Sequence, residues 1–254
     1  MKTIWKGLCR CFFLFSWVGL ALSCQPSTPK GVVVAASSNT RMVLEEVEAR
    51  FEKKYGIPCE LITASSGKLF AQIQNGAPYD LFLSADKHYP SQLEKSGYTA
   101  GNPQIYAQGR LALWSLRQEW NWEKQGLNHP QIKRLAIANP ETAPYGRAAR
   151  EVLLKLRPDL LEGSHVVMGE NVAQAAQFVT SGNVEAGLIA YSLIQGQEGW
   201  YQLIDDSLHT PINQFVVRLK NHPGDKEDVD KFYNFLFSEE VQPLLKKYGY
   251  TIPD

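Results

Sequence analysis

Short apolar runs alternate along this chain with stretches whose apolar positions return every three or four residues. Gly31-Val32-Val33-Val34-Ala35 is short and continuous, and it reads as a buried strand. Met42, Val43, Val47 and Phe51 then share one helical face, and Lys53-Lys54-Tyr55-Gly56 ends that helix with cations and a glycine. Pro58 to Thr63 predicts a second strand, and Leu69, Phe70 and Ile73 mark a helix that stops near Asn75-Gly76. Ala77-Pro78-Tyr79 turns the chain into a third strand, Asp80 to Ser84. This strand and helix order requires parallel pairing with helices laid on the sheet.

A long extended segment, Tyr106 to Ser115, precedes a restart of the same pattern. Strands are expected at Arg134–Ala138, His165–Met168 and Ala186–Tyr191, with helices at Gly146–Leu156 and Val172–Thr180 between them. A second long extended segment follows, Thr210 to Leu219. Two α/β units separated by two long strands predict two lobes, each a mixed sheet flanked by helices, joined by a two-stranded hinge. Helices over Lys226–Phe237 and Ser238–Tyr248 return to the first lobe. Lobe 1 is therefore expected to hold residues 31–107 and 215–254, and lobe 2 residues 108–214. No period marks a repeat array.

Two of the early strands end in small residues and serines before a helix: Val34-Ala35-Ala36-Ser37-Ser38 and Thr63-Ala64-Ser65-Ser66-Gly67. Such an end sets hydroxyls and unpaired backbone N–H groups at the positive pole of a helix dipole, where an anion is favoured. Taken singly, Ser37 and Ser66 are also what plain helix caps look like.

The first residues change the compartment. Lys2, Lys6 and Arg10 make a basic start, Cys11 to Leu22 is apolar, and Ala21-Leu22-Ser23-Cys24 closes with small residues. This is the layout of a secretory signal peptide over residues 1–23, and its apolar stretch is short for a bilayer span. Ala21-Leu22-Ser23-Cys24 also resembles a lipobox, with Leu two places before the cysteine where three is usual, so Cys24 is a candidate for lipidation. Residues 24–30, polar and proline-containing, suit a tether. Of the 4 cysteines, Cys9 and Cys11 leave with the signal, so Cys59 has no disulfide partner once Cys24 is acylated. The 26 basic residues lose Lys2, Lys6 and Arg10 while all 26 acidic ones stay, a net charge of −3. A negative body excludes a nucleic-acid partner and requires an anion site to work through local dipoles.

Ala35-Ala36-Ser37, Ala64-Ser65-Ser66-Gly67-Lys68-Leu69, Gly76 to Asp86, Asn139-Pro140-Glu141-Thr142-Ala143-Pro144-Tyr145-Gly146 and Gly187-Leu188-Ile189-Ala190-Tyr191 carry a further signal. In this order and spacing they resemble the molybdate-binding proteins of ABC transporters, the ModA family, along nearly the whole mature chain. The resemblance implies the type II periplasmic binding protein fold, with molybdate or tungstate held between the lobes and delivered to a permease and its ATPase. It implies oxyanion contacts from Ser37 and Ser66 through hydroxyl and N–H, from Tyr145 and Val172 through backbone N–H, and from the Tyr191 phenol. Tyr145 stands where the family usually has a small residue, which is expected to add a ring near the pocket mouth. A periplasmic or envelope location and a monomer follow, with membrane contact only through Cys24.

The chemistry of this donor set agrees with the implied ligand. Molybdate and tungstate carry no proton near neutral pH, so they need donors alone, whereas phosphate keeps a proton and calls for an acceptor such as Asp. No Asp or Glu stands at the five positions. Sulfate has the same charge and shape and remains an alternative ligand, to be separated by pocket size. An exported serine hydrolase is the alternative of another class; it would need a His base and an orienting acid, and no Gly-x-Ser-x-Gly elbow is present. His88, His129, His165, His209 and His222 show no metal-ligand spacing, so no cofactor or bound metal ion is expected. Asp80 and Asp86 read as turn and cap residues, and Trp114, Trp120 and Trp122 as core.

Overall fold

The computed structural model describes residues 31–220 and 223–253. The expected signal peptide, Cys24 and the tether lie outside the described residues.

In the first lobe β1 (Val32–Ser37) lies between β2 (Cys59–Ala64) and β3 (Leu81–Ser84), parallel to both. The crossovers are α1 (Arg41–Tyr55) and α2 (Ser66–Gln74), and α3 (His88–Lys95) follows β3. Every residue of β1 is buried because helices cover both of its faces, which is why it reads as an unbroken apolar run. Val32, Val34 and Ala36 join the core under α1, and Val33 and Ala35 join the core with Leu69 and Ile73 of α2. Gln104–Gly109 forms β4.

The second lobe repeats the plan. β5 (Leu111–Ser115) and the short α4 (Trp122–Gln125) lead to β6 (Leu135–Ala138), α5 (Pro144–Leu156), β7 (Val166–Gly169), α6 (Val172–Thr180), β8 (Ala186–Ala190) and β9 (Trp200–Leu203). The chain then returns through β10 (Ile212–Arg218) to α7 (Lys226–Leu236) and α8 (Gln242–Lys247). The sheet orders are β2-β1-β3-β10-β4 and β7-β6-β8-β5-β9. Each sheet is mixed, since β10 runs antiparallel to β3 and β4, and β5 antiparallel to β8 and β9. Among the described residues no helix is long and apolar enough to cross a membrane.

Several expectations are sharpened. The long strand from Tyr106 to Ser115 is two strands, one in each sheet, broken at Arg110. The β4 and β10 ladder runs on to the pair Gly109 and Ile212. Gln108 and Gly109, and Ile212 to Gln214, thus belong to the first sheet, whereas the sequence reading gave them to lobe 2. Neither α3 nor β9 was expected, because His88–Lys95 is largely polar and the edge strand β9 has little apolar alternation. Trp114 and Trp122 are buried, and the half-buried Trp120 stacks on Trp122 and His129. Asp80, at the bend before β3, does more than turn the chain: its buried carboxylate accepts the Val33 N–H at 2.6 Å and the Gly224 N–H at 2.8 Å, binding β1 to the approach to α7.

Candidate anion-binding site

The candidate site is built from the starts of helices that follow parallel strands. Ser37, the last residue of β1, lies opposite Ala64, the last of β2, so the turn before α1 and the start of α2 are neighbours. Ala138 ends β6 opposite Gly169 at the end of β7, and the Asn139 N–H continues that contact to the Gly169 carbonyl at 2.7 Å. The starts of α5 and α6 are therefore also neighbours. The two pairs meet across the cleft, where the Gly67 N–H donates to the Thr142 carbonyl at 2.9 Å and Lys68 lies 3.3 Å from Glu170. The lobes are closed on each other. Strand ends of this kind are where open α/β sheets place their ligands.

At each helix start, caps and crosslinks occupy most of the N–H groups that have no acceptor within the helix. In α2 Gly67 is engaged with Thr142 and the Lys68 N–H with the Ser65 hydroxyl, which leaves the Ser66 N–H. In α6 the Asn171 side chain caps Ala173 and Gln174, each at 3.0 Å, which leaves the Val172 N–H. In α5 Pro144 has no N–H and Arg147 bonds back to Ala143, which leaves Tyr145 and Gly146. These N–H groups have no acceptor among the described residues, and helix dipoles direct their positive ends at the same gap.

The serines divide their roles. Ser65, not Ser66, is the cap of α2. The Ser66 hydroxyl accepts the Ala85 N–H at 3.1 Å, so its own proton is free to be given away. Ser37 makes no side-chain cap, and its carbonyl accepts the Thr40 hydroxyl at 2.7 Å. Ser38 adds what sequence reasoning missed: its hydroxyl is buried with no partner among the described residues. The doubled serine in Ala36-Ser37-Ser38-Asn39 was the available signal. An orphaned buried hydroxyl costs stability unless something fills the need.

Two expected features differ. The Tyr145 ring is not near a pocket mouth but is 1 % exposed, directed back into the hinge. Gly109 leaves room for it, since a Cβ there would lie 2.1 Å from the Tyr145 hydroxyl. The buried phenol is pushed well above its ordinary pKa by desolvation and stays neutral. Tyr191 begins the short turn Tyr191–Leu193, which packs against Ser38–Thr40, and its phenol already has a partner. Its hydroxyl shares a 3.1 Å hydrogen bond with that of Tyr201 on β9, and its ring covers Gly249.

A polar knot holds the lobes at the hinge beside this gap. Asn39 Nδ2 donates to Gln214 Oε1 and to the Tyr250 hydroxyl, both at 2.9 Å, and the Ser192 hydroxyl donates to the Asn39 carbonyl at 2.8 Å. Among the described residues no cluster of His, Cys, Asp and Glu could hold a metal ion. Among the described residues neither the Ser37 nor the Ser66 hydroxyl hydrogen-bonds to a histidine.

A two-lobed α/β chain with a donor-lined cleft has counterparts among known proteins. Residues 32–251 match the family model described as bacterial extracellular solute-binding protein. A relative in Azotobacter vinelandii named molybdate-binding protein ModA is 38 % identical, over 87 % of this chain and 90 % of its own length. The chain belongs to the ModA family of bacterial extracellular solute-binding proteins. A Rhodobacter capsulatus protein of the same name is 35 % identical over 92 % of both chains. The solved periplasmic molybdate-binding protein of Azotobacter vinelandii superposes with a TM-score of 0.83, at 30 % identity, covering 88 % of this chain and 100 % of that one. The family is one of extracellular solute-binding proteins, and this chain shares the fold of its solved member.

Proposed function

We propose that this chain captures molybdate, and with it tungstate, between its lobes and delivers the anion to an ABC permease driven by an ATPase. The observation that carries the reading is the set of neutral donors left open at one place: the N–H groups of Ser66, Tyr145 and Val172 with the buried Ser38 hydroxyl. The relatives named for molybdate supply the choice of anion. We assign the contacts to Ser37, Ser38 and Ser66 from lobe 1 and to Tyr145 and Val172 from lobe 2. The Tyr191 phenol joins them when it accepts from Tyr201, which leaves its own proton for the anion. An unprotonated dianion needs every donor and no acceptor, and contacts from both lobes are complete only in the closed state, so binding draws the lobes together. Sulfate, being smaller, leaves some of these donors at poor distance. We place the protein at the cell envelope as a monomer, tethered through an acylated Cys24 with no resident cofactor.

Removing one donor tests the site. Ser38→Ala and Ser66→Ala should each weaken molybdate binding by about 1.5 to 3 kcal/mol, the contribution of a hydrogen bond to a charged group. Isothermal titration would read this as a loss of roughly 10- to 150-fold. Wild-type affinity in both variants would put the anion elsewhere.

A further inference from the structure

Beside the donor set, a second group of side chains crosses the cleft without belonging to it. Asp86 follows β3 in lobe 1, and Arg147 lies in the first turn of α5 in lobe 2; the guanidinium forms an ion pair with the Asp86 carboxylate. The Arg147 guanidinium also lies 5.5 Å from the Tyr89 ring centre, with one nitrogen 3.5 Å from its hydroxyl. The Tyr89 hydroxyl donates to the Glu141 carbonyl of lobe 2 at 3.3 Å. Asp86 is held in place from its own lobe, since its carboxylate accepts the Ser84 hydroxyl at 3.1 Å and the Tyr89 N–H at 3.3 Å. The group lines an open groove of about 670 Å³ between the lobes, together with Lys87, His88, Arg150 and Glu151.

Its position in the chain ties it to the anion contacts. Asp86 adjoins Ala85, whose N–H orients the Ser66 hydroxyl. Arg147 is two residues beyond Tyr145, on the turn that presents the Tyr145 N–H. Its partners sit on opposite lobes, so the pair breaks whenever the lobes part. We propose that Asp86, Arg147 and Tyr89 form a clasp that holds the closed lobes together, and that the clasp sets how long the anion stays bound while touching none of it. These are positioning residues: they act on the equilibrium between open and closed states. With Asp86 largely covered and Arg147 about one third exposed, the pair falls between a surface ion pair and a buried one.

The inference rests on the cleft's being an anion site, and a double-mutant cycle keeps the two apart. Asp86→Asn, Arg147→Gln and the double variant would be purified, and their association and dissociation rates for sodium molybdate measured by stopped-flow fluorescence. Each single change should raise the dissociation rate about three- to tenfold and leave the association rate unchanged, since the clasp forms after encounter. The double variant should be no worse than either single one, because both remove the same contact. The exchanged pair, Asp86→Arg with Arg147→Asp, should recover part of the loss. The unfolding midpoint without ligand should stay at the wild-type value, which separates a clasp from damage to a lobe. Additive losses, unchanged dissociation, or tighter binding in Asp86→Asn would overturn the clasp; the last would make Arg147 an anion ligand that Asp86 competes for. A wild-type protein that binds neither molybdate, tungstate nor sulfate would overturn the cleft reading and the clasp with it.

Discussion

Gly67→Ala is expected to weaken anion binding about 5- to 150-fold, the equivalent of 1 to 3 kcal/mol of overpacking. Gly67 is the second residue of α2 and meets the other lobe backbone to backbone. A methyl group there would lie 2.9 Å from the Thr142 carbonyl oxygen and 2.6 Å from the Tyr89 hydroxyl. The tyrosine end can swing aside, but the carbonyl is main chain and lies two residues before the start of α5. Relief therefore comes from keeping the lobes apart, which withdraws the Tyr145 and Val172 N–H groups from an anion seated on Ser66. Alanine is the better helix former by about 1 kcal/mol, so the unliganded protein should unfold at the wild-type temperature or slightly above it. The pairing of lost affinity with intact stability is the signature of blocked closure. Small-angle scattering should also show that molybdate no longer compacts the variant. Wild-type affinity would mean that the closed arrangement is not the binding arrangement.

The second large effect concerns stability. Phe51→Ala should cost about 3 to 5 kcal/mol, the range for deleting a buried aromatic ring, and lower the unfolding midpoint by roughly 6 to 20 °C in a chain of this length. The Phe51 ring is fully buried on α1, with ring centres of Phe232 and Phe235 of α7 at 5.0 and 5.7 Å. This contact joins the first segment of lobe 1 to the C-terminal one, about 180 residues later in the chain. Calorimetry should resolve the loss as a weakened lobe 1 transition with lobe 2 retained. An unchanged thermogram would show that α7 contributes little to closing the first lobe.

The fold was legible where burial writes a period into the chain. β1 and β6 are covered on both faces and read as unbroken apolar runs, and α1 carries Val43, Val47 and Phe51 on its buried face. The two-sheet plan followed from the restart of that pattern after Ser115. Half-exposed elements such as β9 and α3 were not legible, because their positions are set by what they pair with. In the proposed site, Ser66 and Val172 are taken from the family resemblance, and that their N–H groups stand open is apparent only once Gly67, Ser65 and Asn171 are seen to use up the neighbouring ones. The direction of the Tyr145 ring depends on Gly109, a residue 36 positions away whose missing side chain makes the space. A glycine inside a strand signals that something approaches closely, but not what. The burial of Asp80 was not legible because a carboxylate at the bend before a strand gives no sign of the distant Gly224 brought against it.

The most direct measurement is thermal unfolding of the purified protein with molybdate, tungstate, sulfate or phosphate added in turn. A ligand at about a thousand times its dissociation constant adds about 4 kcal/mol of stability, which here corresponds to a rise of roughly 8 to 16 °C. The account predicts that rise with molybdate and tungstate and none with sulfate or phosphate. An equal rise with sulfate would contradict the molybdate assignment, and no rise with any of the four would contradict the anion cleft itself.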